Sequence, residues 1–149
     1  MAYGSAAGVA SLARTWTDNG SFLDEDLYEP GTNPTLTQVE EWLEEVSAFV
    51  DIALAGEGFS LPLSHVGVLK AIGLRVNAMV ADLVHLQHNK GRLFADRIQE
   101  SGTPPMPIIE RAVLSWVKSR ANAFENLGLI RVINLDSTQG YSIPATRQE

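Results

Sequence analysis

The chain has 149 residues, enough for one domain with a single hydrophobic core. Apolar residues make up 45%, which argues against wholesale disorder, and the absence of cysteine excludes disulfides, thiolate metal sites and cysteine nucleophiles. No apolar run approaches the roughly 20 residues that cross a bilayer. The start, MAYGSAAGVASLART, lacks the basic region of a signal peptide, so neither a membrane span nor a leader is expected.

The net charge of −7 is distributed unevenly along the chain. Eleven acidic residues and no lysine or arginine lie between Arg14 and Lys70, whereas ten basic and seven acidic residues lie from Lys70 onwards. Phosphate contact requires a concentrated basic surface, so the pattern argues against nucleic acid as the main partner. It suits a protein that pairs one face with the opposite face of another copy, and a solvated acidic surface explains it equally well.

The first element is a short helix that we expect to begin after Ser5. A segment rich in Asp, Asn, Gly and Pro follows over residues 15–34. A connection of about 20 residues is long for a compact domain and is usually functional or an arm. Its larger apolar side chains are expected to pin parts of it onto a surface; these are Trp16, Phe22, Leu23 and Tyr28.

The clearest predicted helix begins after Thr35, which forms a capping box with Gln38, and ends at Gly56 and Gly58. Apolar residues recur on one side at helical spacing: Leu36, Val39, Trp42, Leu43, Val46, Phe49, Val50, Ala53 and Leu54. The outer face is acidic, with no basic residue to balance it; its members are Glu40, Glu41, Glu44, Glu45 and Asp51. About 20 residues at 1.5 Å each give a rod of roughly 30 Å.

A second long helix is predicted from Ser64 or His65 to about His88. Gly67 and Gly73 weaken its first half, so it either runs through or breaks into two near them.

In the later part of the chain, the residue pattern predicts a weaker helix over 92–100. It also predicts a last clear helix from about Pro107 to Asn126, with Gly128 as C-cap. The segment 129–149 lacks the helical spacing of apolar residues, and we expect a small hairpin or an extended arm there. The predicted fold class is all-α. It is one domain, 1–149, with a small bundle of three to four helices, an irregular N-terminal loop at 15–34 and an extended C-terminal tail or short hairpin at 128–149.

The sequence contains no recognisable catalytic motif. Asp82, His85 and His88 share a helix face, but no fourth ligand is evident, so neither a metal nor a cofactor is expected. A Gly-x-Ser-x-Gly elbow and a phosphate loop are both missing. The cations Arg111, Lys118 and Arg120 form only a modest basic patch. We therefore expect a structural or interaction protein rather than an enzyme.

One segment resembles a known family. The stretch PTLTQVEEWLEEVSAFVDIALAGEGFSLPL, residues 34–63, resembles head–tail connector (adaptor, head-completion) proteins of tailed bacteriophages. The positions that carry the resemblance are Pro34, Thr35, Gln38, Val39, Leu43, Val46, Ser47, Val50, Asp51, Leu54, Gly58 and Phe59. The helices that follow also look similar. The loop before the segment is longer than in that family, Val46 stands where a small residue is common, and the tail after Gly128 does not align.

The resemblance implies a helical subunit of a homo-oligomeric ring, generally twelvefold, beneath the portal protein. Such a ring extends the DNA channel and gives the next connector or tail protein a docking surface, while DNA passes without sequence-specific binding. The implied location is the neck of the virion, assembled in the host cytoplasm. Partner contacts are expected at the subunit seam or channel, and on the C-terminal arm, at Glu40, Glu41, Glu44, Glu45, Ile130, Arg131, Val132, Ile133 and Tyr141.

Two other interpretations remain open at this stage. One is a different helical component of the same particle, such as a neck or tail-completion protein. The other is a small helical regulatory module that binds DNA, for which the basic segment 111–120 supplies only three cations.

Overall fold

The computed structural model describes residues 2–88 and 106–132, and the all-α prediction is confirmed for them. A 3₁₀ turn, Arg14–Trp16, follows the first helix. The helices within these ranges are α1 (Ala6–Leu12), α2 (Leu36–Gly56), α3 (Val66–His88) and α4 (Met106–Asn126). The predicted helix over 92–100 lies outside the described residues.

Helix α2 is at the centre of the bundle, because α1, α3 and α4 all pack against it. The apolar stripe predicted for α2 is its buried side, and Val39, Val46 and Leu54 are fully buried. Side chains of α3 and α4 complete the same core, among them Ile72, Val80, Leu83, Val113 and Val117. Burial of this apolar surface is the main stabilising contribution to the fold.

The Thr35 side of the predicted capping box is present at the start of α2, whereas the Gln38 side chain makes no return bond to the Thr35 amide among the described hydrogen bonds. The hydroxyl of Thr35 accepts a hydrogen bond from the amide of Gln38 at 3.2 Å. A second acceptor comes from the preceding loop, since Asp24 accepts from both the amide and the hydroxyl of Thr37, at 2.8 and 2.9 Å. The carboxylate also suits the positive end of the helix dipole.

Helices α2 and α3 form an antiparallel hairpin. They pack together and are joined by the short segment 57–65. The amino end of α2 therefore lies beside the carboxyl end of α3, where the side chain of Gln87 donates to that of Asn33 at 3.1 Å. This arrangement gives the hairpin a covalently joined end and an opposite, open end.

Helix α3 runs without a break through both glycines. Gly73 is buried, and a Cβ atom on it would lie 2.5 Å from the backbone carbonyl oxygen of Tyr3. The glycine therefore permits the segment before α1 to approach the helix closely. Its lower helix propensity is offset by that packing.

The C-terminal end of α4 turns back towards α2. Gly128 has a positive φ of 99°, and the amide of Leu129 bonds to the carbonyl of Phe124 at 3.2 Å, a capping arrangement typical of a helix end. The next residues lie antiparallel to 58–60: Val132 donates to the carbonyl of Gly58 at 2.7 Å. Within the described ranges, no helix has the length and apolarity needed to cross a membrane.

Candidate functional site

The acidic face of α2 comprises Glu40, Glu41, Glu44 and Glu45, all of them exposed. Together with Thr37 they line a shallow depression of about 430 Å³. Residues four apart are neighbours on a helix surface, so the carboxylates stand in like-charged pairs. Among the described residues, no cation forms an ion pair with Glu40, Glu41 or Glu45. Glu40, Glu41 and Glu45 therefore give this face a concentrated negative charge that no cation of the described residues balances.

A basic face lies on the exposed side of α4. Arg111 and Lys118, seven residues apart, share one side of the helix, whereas Arg120 is exposed on the opposite side. Leu114, 44% exposed, lies between the first two on the same side. Because α2 and α4 pack against each other, their exposed faces point away from the shared interface, and the two outer faces carry opposite charge.

The predicted contact residues after α4 divide into inward and outward positions. The guanidinium of Arg131 donates to the carbonyl and the carboxylate of Glu57, at 2.6 and 2.9 Å, and lies 5.6 Å from the ring centroid of Phe59. Arg131 is thus an internal anchor. Ile130 and Val132 alternate with it and are 71% and 65% exposed. The two other predicted contacts, Ile133 and Tyr141, lie outside the described residues.

The loop at 15–34 is held together by hydrogen bonds within it and is attached to α2 through Asp24. Phe22 is buried, as expected, and the hydroxyl of Thr32 accepts from the amide of Leu23 at 2.8 Å and donates to the carbonyl of Pro34 at the same distance. With Asp24 capping α2, the loop closes on itself as a compact surface loop.

The tip of this loop carries two apolar side chains in solvent. Leu27 is 94% and Tyr28 91% exposed. The expectation that Tyr28 packs the loop against a surface is therefore wrong. The tip is a tight turn: the carboxylate of Asp26 accepts from the amides of Tyr28 and Glu29, at 2.8 and 2.7 Å. These two amide hydrogen bonds hold the pKa of Asp26 below its usual value.

The histidines considered as metal ligands instead hold the loop. The indole N–H of Trp16 donates to Nδ1 of His85 at 3.1 Å, and the Trp16 ring stacks on His88 with centroids 3.7 Å apart. His88 Nε2 donates to the carbonyl of Asn33 at 2.5 Å. In ranges 2–88 and 106–132, no group of three His, Cys, Asp or Glu side chains is placed to hold a metal ion.

A further feature, missed at the sequence level, is an apolar cleft of about 400 Å³ at the joined end of the hairpin. It is lined by side chains from three segments, among them Tyr3, Asp51, Leu61, Pro62, Leu63 and Leu69. Asp51, which the helical pattern places on the acidic outer face, accepts a hydrogen bond from the Tyr3 hydroxyl. Burial, together with this bond, raises the pKa of Tyr3. The LPL sequence at 61–63 was the only signal for this cleft.

Comparison with protein-family models, curated proteins and solved structures finds no match for this chain. The surfaces that the described residues present are an acidic and a basic helix face, an apolar loop tip and an apolar cleft.

Proposed function

We propose that this chain is a structural subunit of the head-to-tail connector of a tailed bacteriophage. Copies form a ring that docks under the portal protein, extends the DNA channel and gives the tail or the next connector protein a docking surface. The proposal is carried by the pair of exposed faces of opposite charge, acidic on α2 and basic on α4. It also draws on the resemblance of residues 34–63 to that family.

The two charged faces favour contact between copies over contact within one copy. Both point away from the interface between α2 and α4, so the basic residues of α4 do not pair with Glu40, Glu41 or Glu45 of the same chain. If the acidic face of one copy meets the basic face of the next, the contact joins two different surfaces and repeats around a ring. Exposed ion pairs contribute only about 0.2–1 kcal/mol each, so the charges chiefly orient the contact.

The acidic face also suits a passage for DNA. Carboxylates of this face that remain outside the seam would repel the phosphates of a passing duplex. The channel wall would then carry no site at which DNA is retained. Two of the carboxylates, Glu41 and Glu45, lie next to each other on α2 and are well placed for a charge-reversal test.

The test compares the oligomeric mass of wild type with that of a double charge reversal, Glu41→Lys with Glu45→Lys, alone and with portal protein. We expect wild type to form a closed ring, visible by native mass spectrometry and electron microscopy, and the double variant to lose it. The control is Asp18→Lys with Asp82→Lys, which makes the same charge change at exposed sites elsewhere.

A charge swap makes the test specific. Reversal of the basic face in the same chain, by Arg111→Glu with Lys118→Glu, is expected to restore the ring. Wild type that stays monomeric at every concentration, with and without portal, refutes the proposal. An affinity for duplex DNA that falls steeply with salt, measured on such a monomer, favours the regulatory module instead.

A further inference from the structure

We infer that the loop tip of one copy, Leu27 and Tyr28, inserts into the apolar cleft of the next copy, where the Tyr28 hydroxyl donates a hydrogen bond to Asp51. The inference rests on the proposed ring, since it names a contact at the seam between neighbours. In that contact the tip and the cleft supply the apolar surface, which the charged faces do not.

The tip is built as a protruding contact. Leu27 and Tyr28 are almost fully exposed, yet the turn that carries them is fixed by the bonds to Asp26 and by the attachment of Asp24 to α2. A fixed turn loses little conformational entropy when it binds. Tyrosine is among the side chains that contribute most to protein interfaces, because it combines apolar area with a polar end.

The cleft has the complementary chemistry. Its walls are mostly apolar, and at about 400 Å³ it is large enough to accept side chains from a partner. One polar acceptor is present, since one oxygen of the Asp51 carboxylate accepts from Tyr3 and a carboxylate has two. An apolar cleft that contains a carboxylate acceptor fits a phenol better than it fits a purely aliphatic side chain.

The tip and the cleft lie at opposite ends of the α2–α3 hairpin. The loop that carries the tip is tied through Asp24 to Thr37 at the start of α2, whereas Asp51 is in the last part of the same helix. The 14 residue steps from Thr37 to Asp51 span about 20 Å at 1.5 Å each. The tip of one chain therefore cannot fill its own cleft without unfolding the loop. Insertion that repeats in one direction from copy to copy is head-to-tail, and it closes into a ring where the rotation between copies allows.

Charge also favours a second copy as the occupant. The tip is flanked by Glu25 and Glu29, both exposed. Lys70, exposed and next to the cleft residue Leu69, has no ion pair within the described ranges. Lys70 is therefore available to a carboxylate beside the tip, and its positive charge offsets the negative charge of Asp51 within the cleft.

The first experiment uses the absence of native cysteine. Glu29→Cys, beside the tip, and Ser64→Cys, beside the cleft, leave Tyr28 in place. With a short thiol-specific cross-linker, the assembled double variant is expected to give a ladder of covalent oligomers, and the two single variants, when mixed, only a covalent dimer. Glu29→Cys combined with Ala123→Cys, an exposed position on α4, is the control pair.

The second experiment measures self-association by sedimentation. Because Tyr28 is outside the core, Tyr28→Ala is expected to fold normally by circular dichroism, while its dissociation constant rises about 30-fold, the loss typical of an interface hot spot. Tyr28→Phe keeps the ring and removes the hydroxyl, so it is expected to weaken association about 5-fold.

The two proposals fail in different ways. If wild type forms no ring, alone or on portal, both are wrong. If the ring forms, but Tyr28→Ala assembles as wild type does and the Glu29–Ser64 pair links no better than the control pair, only the insertion of the tip is refuted.

Discussion

The replacement of Gly73 by alanine separates helix propensity from packing in this fold. Propensity alone predicts that Gly73→Ala in the middle of α3 stabilises the protein by about 1 kcal/mol. The structure places the new methyl carbon 2.5 Å from the backbone carbonyl oxygen of Tyr3, well inside van der Waals contact. The obstacle is main chain, so it cannot be relieved by a side-chain rotation.

The expected sign follows from these two contributions. Overpacking of a close contact typically costs about 1–3 kcal/mol, which exceeds or cancels the propensity gain. We therefore expect Gly73→Ala to lower the free energy of unfolding by up to about 2 kcal/mol. The matched control is Gly56→Ala at the end of α2, where a Cβ atom meets nothing within 4 Å. There, alanine is expected to stabilise by about 0.4–1 kcal/mol.

The assay is urea unfolding followed by far-ultraviolet circular dichroism, at one low protein concentration so that association does not add to stability. For a chain of this size each kcal/mol also moves the melting temperature by roughly 2–4 °C, so thermal unfolding gives an independent check. If Gly73→Ala is as stable as Gly56→Ala, the close approach of Tyr3 to α3 is not a real constraint, and the reasoning is wrong.

Three further predictions concern the segments around the bundle. Arg131→Ala removes charge-assisted hydrogen bonds to Glu57 and is expected to destabilise by about 1–3 kcal/mol in urea unfolding, with Arg131→Lys in between. Thr35→Ala, which removes the cap of α2, is expected to cost about 0.5–2 kcal/mol in the same assay. Because the pKa of Asp26 is lowered in the folded loop, its carboxylate stabilises the turn above the ordinary aspartate pKa, and this contribution is lost as the pH falls through the lowered value. Hydrogen exchange should therefore show protection of the Tyr28 amide at neutral pH that disappears on acidification and in Asp26→Ala; protection unchanged in that variant contradicts the assignment.

Features of the fold that depend on neighbours in sequence were predictable. Two such features are the stripe of apolar residues on α2 and the cap at Thr35. Each depends only on residues of one helix, and each agrees with the structure. The glycine after α4, Gly128, was likewise placed correctly from local pattern. Helical periodicity and capping depend on residues a few positions apart, so they can be predicted from a single sequence.

Features that depend on distant contacts were not predictable. Phe22 and Tyr28 are both aromatic residues in one loop, yet only Phe22 is buried. Asp51 falls on the exposed face by helical spacing, but Tyr3 covers it. A local sequence pattern does not predict which segment packs against which helix. The same reason accounts for the cleft, whose walls come from three parts of the chain.

The contacts of Trp16 with α3 have a mechanical consequence. The joined end of the α2–α3 hairpin is held by the covalent chain, and its open end by a non-covalent clamp, in which Trp16 binds His85 and stacks on His88 while Asn33 bonds to His88 and Gln87. A load that slides α3 along α2 therefore meets this clamp as well as the apolar core. The central helix pair is thus held against such shear at both of its ends.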